Sequence, residues 1–107
     1  MMLLTIENVP GYRITKFCGL AKGCSVRAMA TGDNLVAYMK NLVGGEIHEY
    51  TAVLAQTREQ SLDRLIEDAR MLGADAVIGL RFATSQVADG AAELIAYGTA
   101  VKVEKCN

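Results

Sequence analysis

The sequence predicts an α+β domain in which a sheet of about four strands packs against one short and one long helix. Three observations predict it. From Ile47 to Leu72 the chain contains no proline or glycine and carries apolar residues at helical spacing. That run stops at Gly73, and two residues later the pattern changes to the alternation of a strand, Ala76 to Thr84. A second alternating segment, Glu93 to Val103, follows across a short turn, so the long helix and the hairpin are joined with almost no connecting chain.

Taken in order, Leu3 to Ile6 is a short apolar run closed by Val9-Pro10-Gly11-Tyr12. Proline presets φ at the first central position of a turn and glycine accepts positive φ at the second, which predicts a type II turn. Tyr12, Ile14, Lys16, Cys18 and Leu20 then alternate with Arg13, Thr15, Phe17, Gly19 and Ala21, a long strand continuing toward Val26. Beyond Thr31-Gly32-Asp33-Asn34 the period becomes helical, because Leu35, Val36, Met39, Leu42 and Val43 share a face. Asp33 is placed to cap this short helix and Gly44-Gly45 to end it.

The long helix presents Leu62, Leu65, Ile66, Ala69 and Leu72 as an apolar stripe, with Gln60, Asp63, Arg64, Glu67 and Arg70 mostly opposite. At ~1.5 Å per residue it is roughly 39 Å long, more than one small sheet requires. Its first half, with Tyr50, Val53 and Leu54, is therefore the candidate contact with a neighbouring subunit, while its second half reads as intrachain core. The strand after Gly73 is apolar on both faces, which predicts cover on both sides: helices on one, another copy of the chain on the other. A turn near Ala88-Asp89-Gly90 leads into the last strand, where Ile95, Tyr97, Thr99, Val101 and Val103 share a face.

A chain of 107 residues is a single domain, residues 1–107, with one modest core. Hydrophobic residues make up 51% and charged residues 21%. A domain this small buries only roughly 60 to 70% of what its unfolded chain exposes, so an apolar excess favours a homo-oligomer. The net charge is −1, and the 11 basic residues are scattered among 12 acidic ones, which argues against a nucleic-acid partner. No apolar run reaches the roughly 18 residues of a membrane span, and the opening Met-Met-Leu-Leu-Thr-Ile-Glu has no basic stretch before its apolar residues. The expectation is a cytoplasmic protein with no membrane partner. Cys18, Cys24 and Cys106 are odd in number and irregular in spacing, which fits a reducing compartment better than a disulfide framework.

Metal chemistry has five candidate donors: Cys18, Cys24, Glu46, His48 and Glu49. Structural zinc sites need about four donors and usually show tight pairs such as Cys-x2-Cys, which this chain lacks. On a straight strand Cys18 and Cys24 fall on one face but about 20 Å apart, at ~3.3 Å per residue. Cys18 also has an ordinary explanation, since cysteine is a common small core residue. His48 opens the long helix between Glu46 and Glu49, neither of which is three or four residues away, the spacing at which helix side chains meet. The two glutamates suit the positive end of the helix macrodipole. Arg58 and Glu59 in mid-helix are candidates for an intersubunit ion pair or an anion site, and Ile95 and Tyr97 on the hairpin for interface burial; Tyr97 with Arg81 could also line a small pocket. Asp75 is placed to cap the turn into its strand. Neither a Gly-x-Ser-x-Gly elbow nor a phosphate-binding Gly-x-x-x-x-Gly-Lys loop occurs, and one histidine cannot serve a two-histidine site, so the inventory leans toward a non-enzymatic protein.

One combination is more specific. Phe17-Cys18-Gly19, Gly23, Gly44-Gly45, Tyr50 and Arg58-Glu59 are followed by Leu72-Gly73-Ala74-Asp75-Ala76-Val77-Ile78-Gly79, and then by Tyr97-Gly98-Thr99-Ala100-Val101. In this order, over nearly the whole chain, the sequence resembles the YbjQ-like family of small prokaryotic proteins, a group of uncharacterised function sometimes labelled heavy-metal-binding. The resemblance implies a subunit related to the dodecin-like folds that assembles into a ring, most simply a homopentamer. It leaves open a transition or heavy metal as cofactor, or, by analogy with the dodecin-like folds, a small-molecule ligand. Family members often carry Gly-Glu where this chain has Gly23-Cys24, and Gly-Gly-Arg where it has Gly44-Gly45-Glu46, so any ligand site inherited at those two positions is altered here.

Overall fold

The structure, a computed structural model, describes residues 1–28, 48–88 and 91–107. The short helix expected between Asp33 and Val43, with Gly44-Gly45, and the tip of the hairpin at Asp89-Gly90 lie outside the described residues. Within them the order is β1 (Met2–Leu3), β2 (Tyr12–Ala28), α1 (His48–Met71), β3 (Ala76–Ala88) and β4 (Ala91–Lys105). The strands form one mixed sheet in the order β1-β3-β4-β2. β1 runs parallel to β3, while β4 is antiparallel to β3 on one side and to β2 on the other.

Local signals do what their chemistry predicts. Gly11 has φ 81° and the Tyr12 N–H donates to the Val9 carbonyl at 2.9 Å, which closes the turn after Pro10. At the other end of α1, Gly73 takes φ 78°, its N–H donates to Arg70 O at 2.9 Å, and the Ala74 N–H reaches Ala69 O at 3.0 Å. These are the two bonds of a Schellman cap, and they satisfy carbonyls that the helix end leaves open. Asp75 then fastens the exit to the sheet: its N–H donates to Val101 O at 2.8 Å and its carboxylate accepts the Val103 N–H at 3.0 Å.

The helix covers one face of the sheet. Ala21, Leu65, Ala69, Val77, Leu80, Ala96 and Ala100 form that core, bordered by Leu3, Cys18, Leu62 and Ala74. Alanines and glycines dominate the sheet side because the helix lies close. A β-carbon on Gly23 would overlap the backbone of Ser61 and Leu65, so only glycine fits beneath this turn of α1. Polar groups trapped in the same layer are paired: the Ser61 hydroxyl lies 3.1 Å from both Thr57 O and Leu94 O, and Ser25 donates to Gln60 Oε1 at 3.1 Å.

The opposite face has its own small core at one end, where Val9, Ala76, Ile78 and Val101 pack with Met2, Leu4, Ile14 and Val103. The second cover expected for the start of β3 is therefore supplied here by the chain's own N-terminal segment. Leu4 N–H donates to Val77 O and Leu80 N–H to Leu4 O, both at 2.9 Å, which carries that segment past the end of β1. Beyond Leu80 the face is uncovered: Arg81, Ala83 and Ser85 are exposed. The result is elongated, 57 × 26 × 17 Å, with a radius of gyration of 17.4 Å. A compact chain of this length has about 13 Å.

Candidate functional site on the bare face of the sheet

Bulges decide which side chains reach the uncovered face. In β2 the pairing slips between Ile14 and Lys16 and again between Phe17 and Gly19, so two residues of β2 twice oppose one of β4. In β3 the slip between Ile78 and Arg81 falls at Gly79, whose φ is 62°. After these slips, successive rows across β3, β4 and β2 read Arg81-Tyr97-Lys22, Ala83-Ile95-Cys24 and Ser85-Glu93-Val26. Phe17 is 68% exposed, Leu20 61%, Val26 56% and Tyr97 37%. An open cleft of about 380 Å³ lies among Glu7, Phe17, Ile78, Gly79 and Thr99.

The chemistry on this face centres on Cys24. Its thiol donates to Glu93 Oε1 at 2.9 Å, and Glu93 Oε2 accepts from the Ser85 hydroxyl at 3.3 Å, so the group spans three strands. The hydrogen bond to Glu93 raises the Cys24 pKa, with partial burial and the carboxylate's charge acting in the same direction and the Arg64 charge opposing them. The thiol is thereby held protonated, as a donor to a carboxylate rather than as a nucleophile.

The same stretch of β2 is held from the helix side. The Lys22 N–H donates to Asp68 Oδ2 at 3.0 Å, and the Arg64 guanidinium donates to the Cys24 carbonyl. Both backbone groups belong to the outer edge of the sheet, so one polar flank of α1 caps the edge strand. Arg64 and Asp68 sit four residues apart, the spacing that brings helix side chains together, and that spacing is the signal from which this role could be read in the sequence. The partnership of Glu93 with Cys24 had no such signal, because it depends on the register between strands roughly seventy residues apart.

Cys18 and Cys24 do not share a face. The bulge at Cys18 adds a residue to β2 and inverts the parity that a straight strand would keep, so Cys18 packs into the helix-side core while Cys24 faces the bare side. Cys106 is exposed near the C-terminus. Glu46 lies outside the described residues, and His48, Glu49, Tyr50, Val53 and Leu54 fall in the first two turns of α1, whose helical backbone is described. Arg58 and Glu59 are exposed on α1. Ile95 is half-buried beside Cys24, and Tyr97 lies beside Arg81, whose guanidinium donates to Thr5 O and Leu80 O at 2.8 Å each. Among the described residues no three His, Cys, Asp or Glu side chains converge on one point. Cys24 and Glu93 thus offer a thiol and a carboxylate, two donors where a closed zinc site uses four. Nor, among the described residues, is any helix long and apolar enough to cross a membrane.

Comparison with known proteins agrees with this architecture. A UPF0145 protein of Thermus thermophilus is 48% identical over 104 residues, covering 97% of this chain and 91% of its own length. A UPF0145 protein of Methanoculleus marisnigri is 52% identical over 103 residues, covering 96% of each. A crystal structure of a DUF74-family protein of unknown function from Pediococcus pentosaceus superposes with a TM-score of 0.64 over 97% of this chain and 98% of the other, at 19% identity, and so shows the fold alone. The YbjQ family profile, described as "Putative heavy-metal-binding", matches residues 1–104. The chain therefore belongs to the YbjQ-like family, together with the UPF0145 proteins of bacteria and archaea.

Proposed function

We propose that the chain is the subunit of a cytoplasmic homo-oligomeric ring and that its role is non-enzymatic. The observation that carries this reading is the apolar face left without cover, where Phe17, Leu20, Val26 and Tyr97 stand in solvent. Scattered exposed apolar residues are ordinary, but four large ones on one face of a sheet make a surface suited to a partner. Area points the same way. The chain exposes 7005 Å², against about 5,800 Å² for a compact monomer of its mass. The excess, on the order of 1,200 Å², exceeds the roughly 800 Å² that each partner contributes to a standard interface. A ring of five is the number that the family resemblance implies, and Ile95 and Tyr97 lie on the face that would be covered.

A second reading, heavy-metal binding, is favoured by the Cys24–Glu93 pair. A thiolate with a carboxylate suits a soft or borderline cation, and assembly would have to supply the missing donors. In such a site metal binding displaces the thiol proton, so affinity rises with pH.

Native mass spectrometry of the untagged protein, purified without chelator, tests both. The expected result is a bare assembly at an integer multiple of the chain mass, dispersed by Leu20→Glu. A reproducible excess mass, lost with chelator or in Cys24→Ser, would transfer the function to the metal reading. A chain-sized species at every concentration would overturn the assembly reading.

A further inference from the structure

Two bulges converge on one short stretch of β4. In β2 the slip between Phe17 and Gly19 falls opposite Val101 and Ala100, and in β3 the slip between Ile78 and Arg81 falls opposite Thr99 and Tyr97. Bulges recur beside functional sites because they re-aim side chains, and both of these do so. The first turns Cys18 into the helix-side core and leaves Phe17 68% exposed. The second sets Ile78 and Gly79, neighbours in sequence, along the same cleft, where regular alternation would send them to opposite faces. Gly79 has φ 62°, and a β-carbon on it would meet nothing within 4 Å, so its backbone lies bare at the cleft. A glycine inside a strand often marks a place where a ligand approaches the main chain.

The N-terminal segment supplies the remaining wall. Its Ile6 carbonyl accepts the Gly79 N–H at 2.9 Å, and Val9 packs with Ile78 and Val101, which holds the intervening Glu7 beside the cleft. The space of about 380 Å³ is thus bounded by four parts of one chain: Glu7 before β2, Phe17 on β2, Ile78 and Gly79 on β3, and Thr99 on β4. Small-ligand pockets run from about 300 to 1,000 Å³. Because β3 and β2 flank β4, the floor is roughly 10 Å across at ~4.8 Å per strand, room for one ring lying flat. Two polar groups at this cleft are unsatisfied. Among the described residues the Glu7 carboxylate makes neither an ion pair nor a hydrogen bond, and the hydroxyl of the half-buried Thr99 has no partner.

These groups select one kind of ligand. An unpaired carboxylate and the face of an aromatic ring both attract a cation, while Ile78 and the Phe17 ring accommodate hydrocarbon. No basic side chain lines the cleft to offset the repulsion that Glu7 would exert on an anion. We propose that the cleft binds a small organic ammonium ion, its nitrogen held by the Glu7 carboxylate and the Thr99 hydroxyl and its apolar body seated on Phe17 and Ile78. The site is complete within one chain, so this proposal goes beyond the assembly reading and fails or stands independently of it.

Three probes of one size and different charge test it: 2-phenylethylammonium, neutral 2-phenylethanol and anionic 3-phenylpropanoate, each titrated into the wild-type protein and followed by amide chemical shifts resolved to single residues. Phe17 also belongs to the face that assembly would cover, so the titration is made on the protein in its native state of association. The ammonium ion should give saturable shifts centred on Glu7, Phe17, Gly79 and Thr99. Its affinity should exceed that of the alcohol by about three- to twenty-fivefold, the combined effect of an exposed ion pair and a cation–π contact. Glu7→Gln, a change at an exposed position, should weaken the ammonium ion about two- to fivefold and leave the alcohol unaffected. Phe17→Leu, which keeps an apolar side chain and removes the ring, should also weaken the ammonium ion selectively. Equal affinity for the three probes, an absence of saturable shifts at these residues, or ammonium binding unchanged in Glu7→Gln would overturn the proposal. Binding by single chains that vanishes in the assembled protein would give the cleft to the contact between copies and overturn it as well.

Discussion

Replacing Gly23 with alanine probes the closest approach between α1 and the sheet. In a strand interior such a change ordinarily helps, because alanine removes conformational freedom from the unfolded chain and contributes roughly 0.4 to 1 kcal/mol. Here the new methyl group would lie on the backbone of Ser61 and Leu65. Peptide backbone cannot rotate aside as a flexible side chain does, so helix and strand must separate by about 1 Å, which forfeits a quarter to a half of the dispersion energy across the gap. Leu65 is fully buried in that layer. At 40 to 60 atomic contacts of ~0.1 to 0.2 kcal/mol, its share of the loss alone is about 1 to 6 kcal/mol, a range that contains the usual overpacking cost of about 1 to 3 kcal/mol. After the unfolded-state gain is subtracted from that overpacking cost, Gly23→Ala should destabilise by about 1 to 2 kcal/mol and lower Tm by roughly 4 to 16 °C. Urea titration followed by far-UV circular dichroism measures it, at one fixed protein concentration because association shifts apparent stability. A Gly23→Ala protein as stable as the wild type, or more so, would refute the helix seating on which the core description depends.

Leu65→Ala, which removes the largest side chain of that same fully buried layer, should cost about 3 to 5 kcal/mol in the same titration, whereas Glu104→Gln, which breaks the exposed 2.6 Å ion pair with Arg13, should cost under about 1 kcal/mol. Cys24 should alkylate more slowly than Cys106 at pH 8, and Glu93→Gln should speed it selectively, as followed by peptide mass spectrometry across a pH series. Because folding raises the Cys24 pKa, the thiol–carboxylate bond stabilises the fold fully below the unfolded value of about 8.5, and that contribution is lost as pH climbs through the raised folded value. Equal rates for Cys24 and Cys106 throughout the series would show that the pairing with Glu93 does not form.

Local chemistry made much of this fold legible. Pro10-Gly11, the glycine at 73 and the change of period after it placed a turn, a helix end and a strand start close to where they occur. The hairpin was legible as well, although its strands run longer than their alternating cores suggested. Bulges were not. An extra residue at Cys18 leaves the sequence looking like continuous alternation, yet it sends Cys18 and Cys24 to opposite faces and separates two of the candidate metal donors. The role of the N-terminus was hidden for a related reason. Apolarity on both faces of β3 says that something covers it, but composition does not distinguish a second copy from Met2 and Leu4 of the same chain. Glu93 carries no local signal of its role, because a single acid at a strand start has many ordinary explanations and only register brings it to a thiol.

The placement of β2 also bears on how the chain is made. Its only described strand partner is β4, with Tyr12 opposite Lys105 and Ala28 opposite Ala91. On a ribosome adding about 5 to 20 residues per second, Tyr12 precedes Lys105 by roughly 5 to 20 s. During that interval a 17-residue strand with Phe17, Leu20 and Val26 along it has no sheet to join. The β3–β4 hairpin, local in sequence, can close within microseconds of its synthesis, and β2 then docks across the longest separation in the molecule. The sheet thus closes on β2 only after β4 has been made, and truncations that remove β4 should leave β2 exposed to aggregation rather than yield a smaller stable domain.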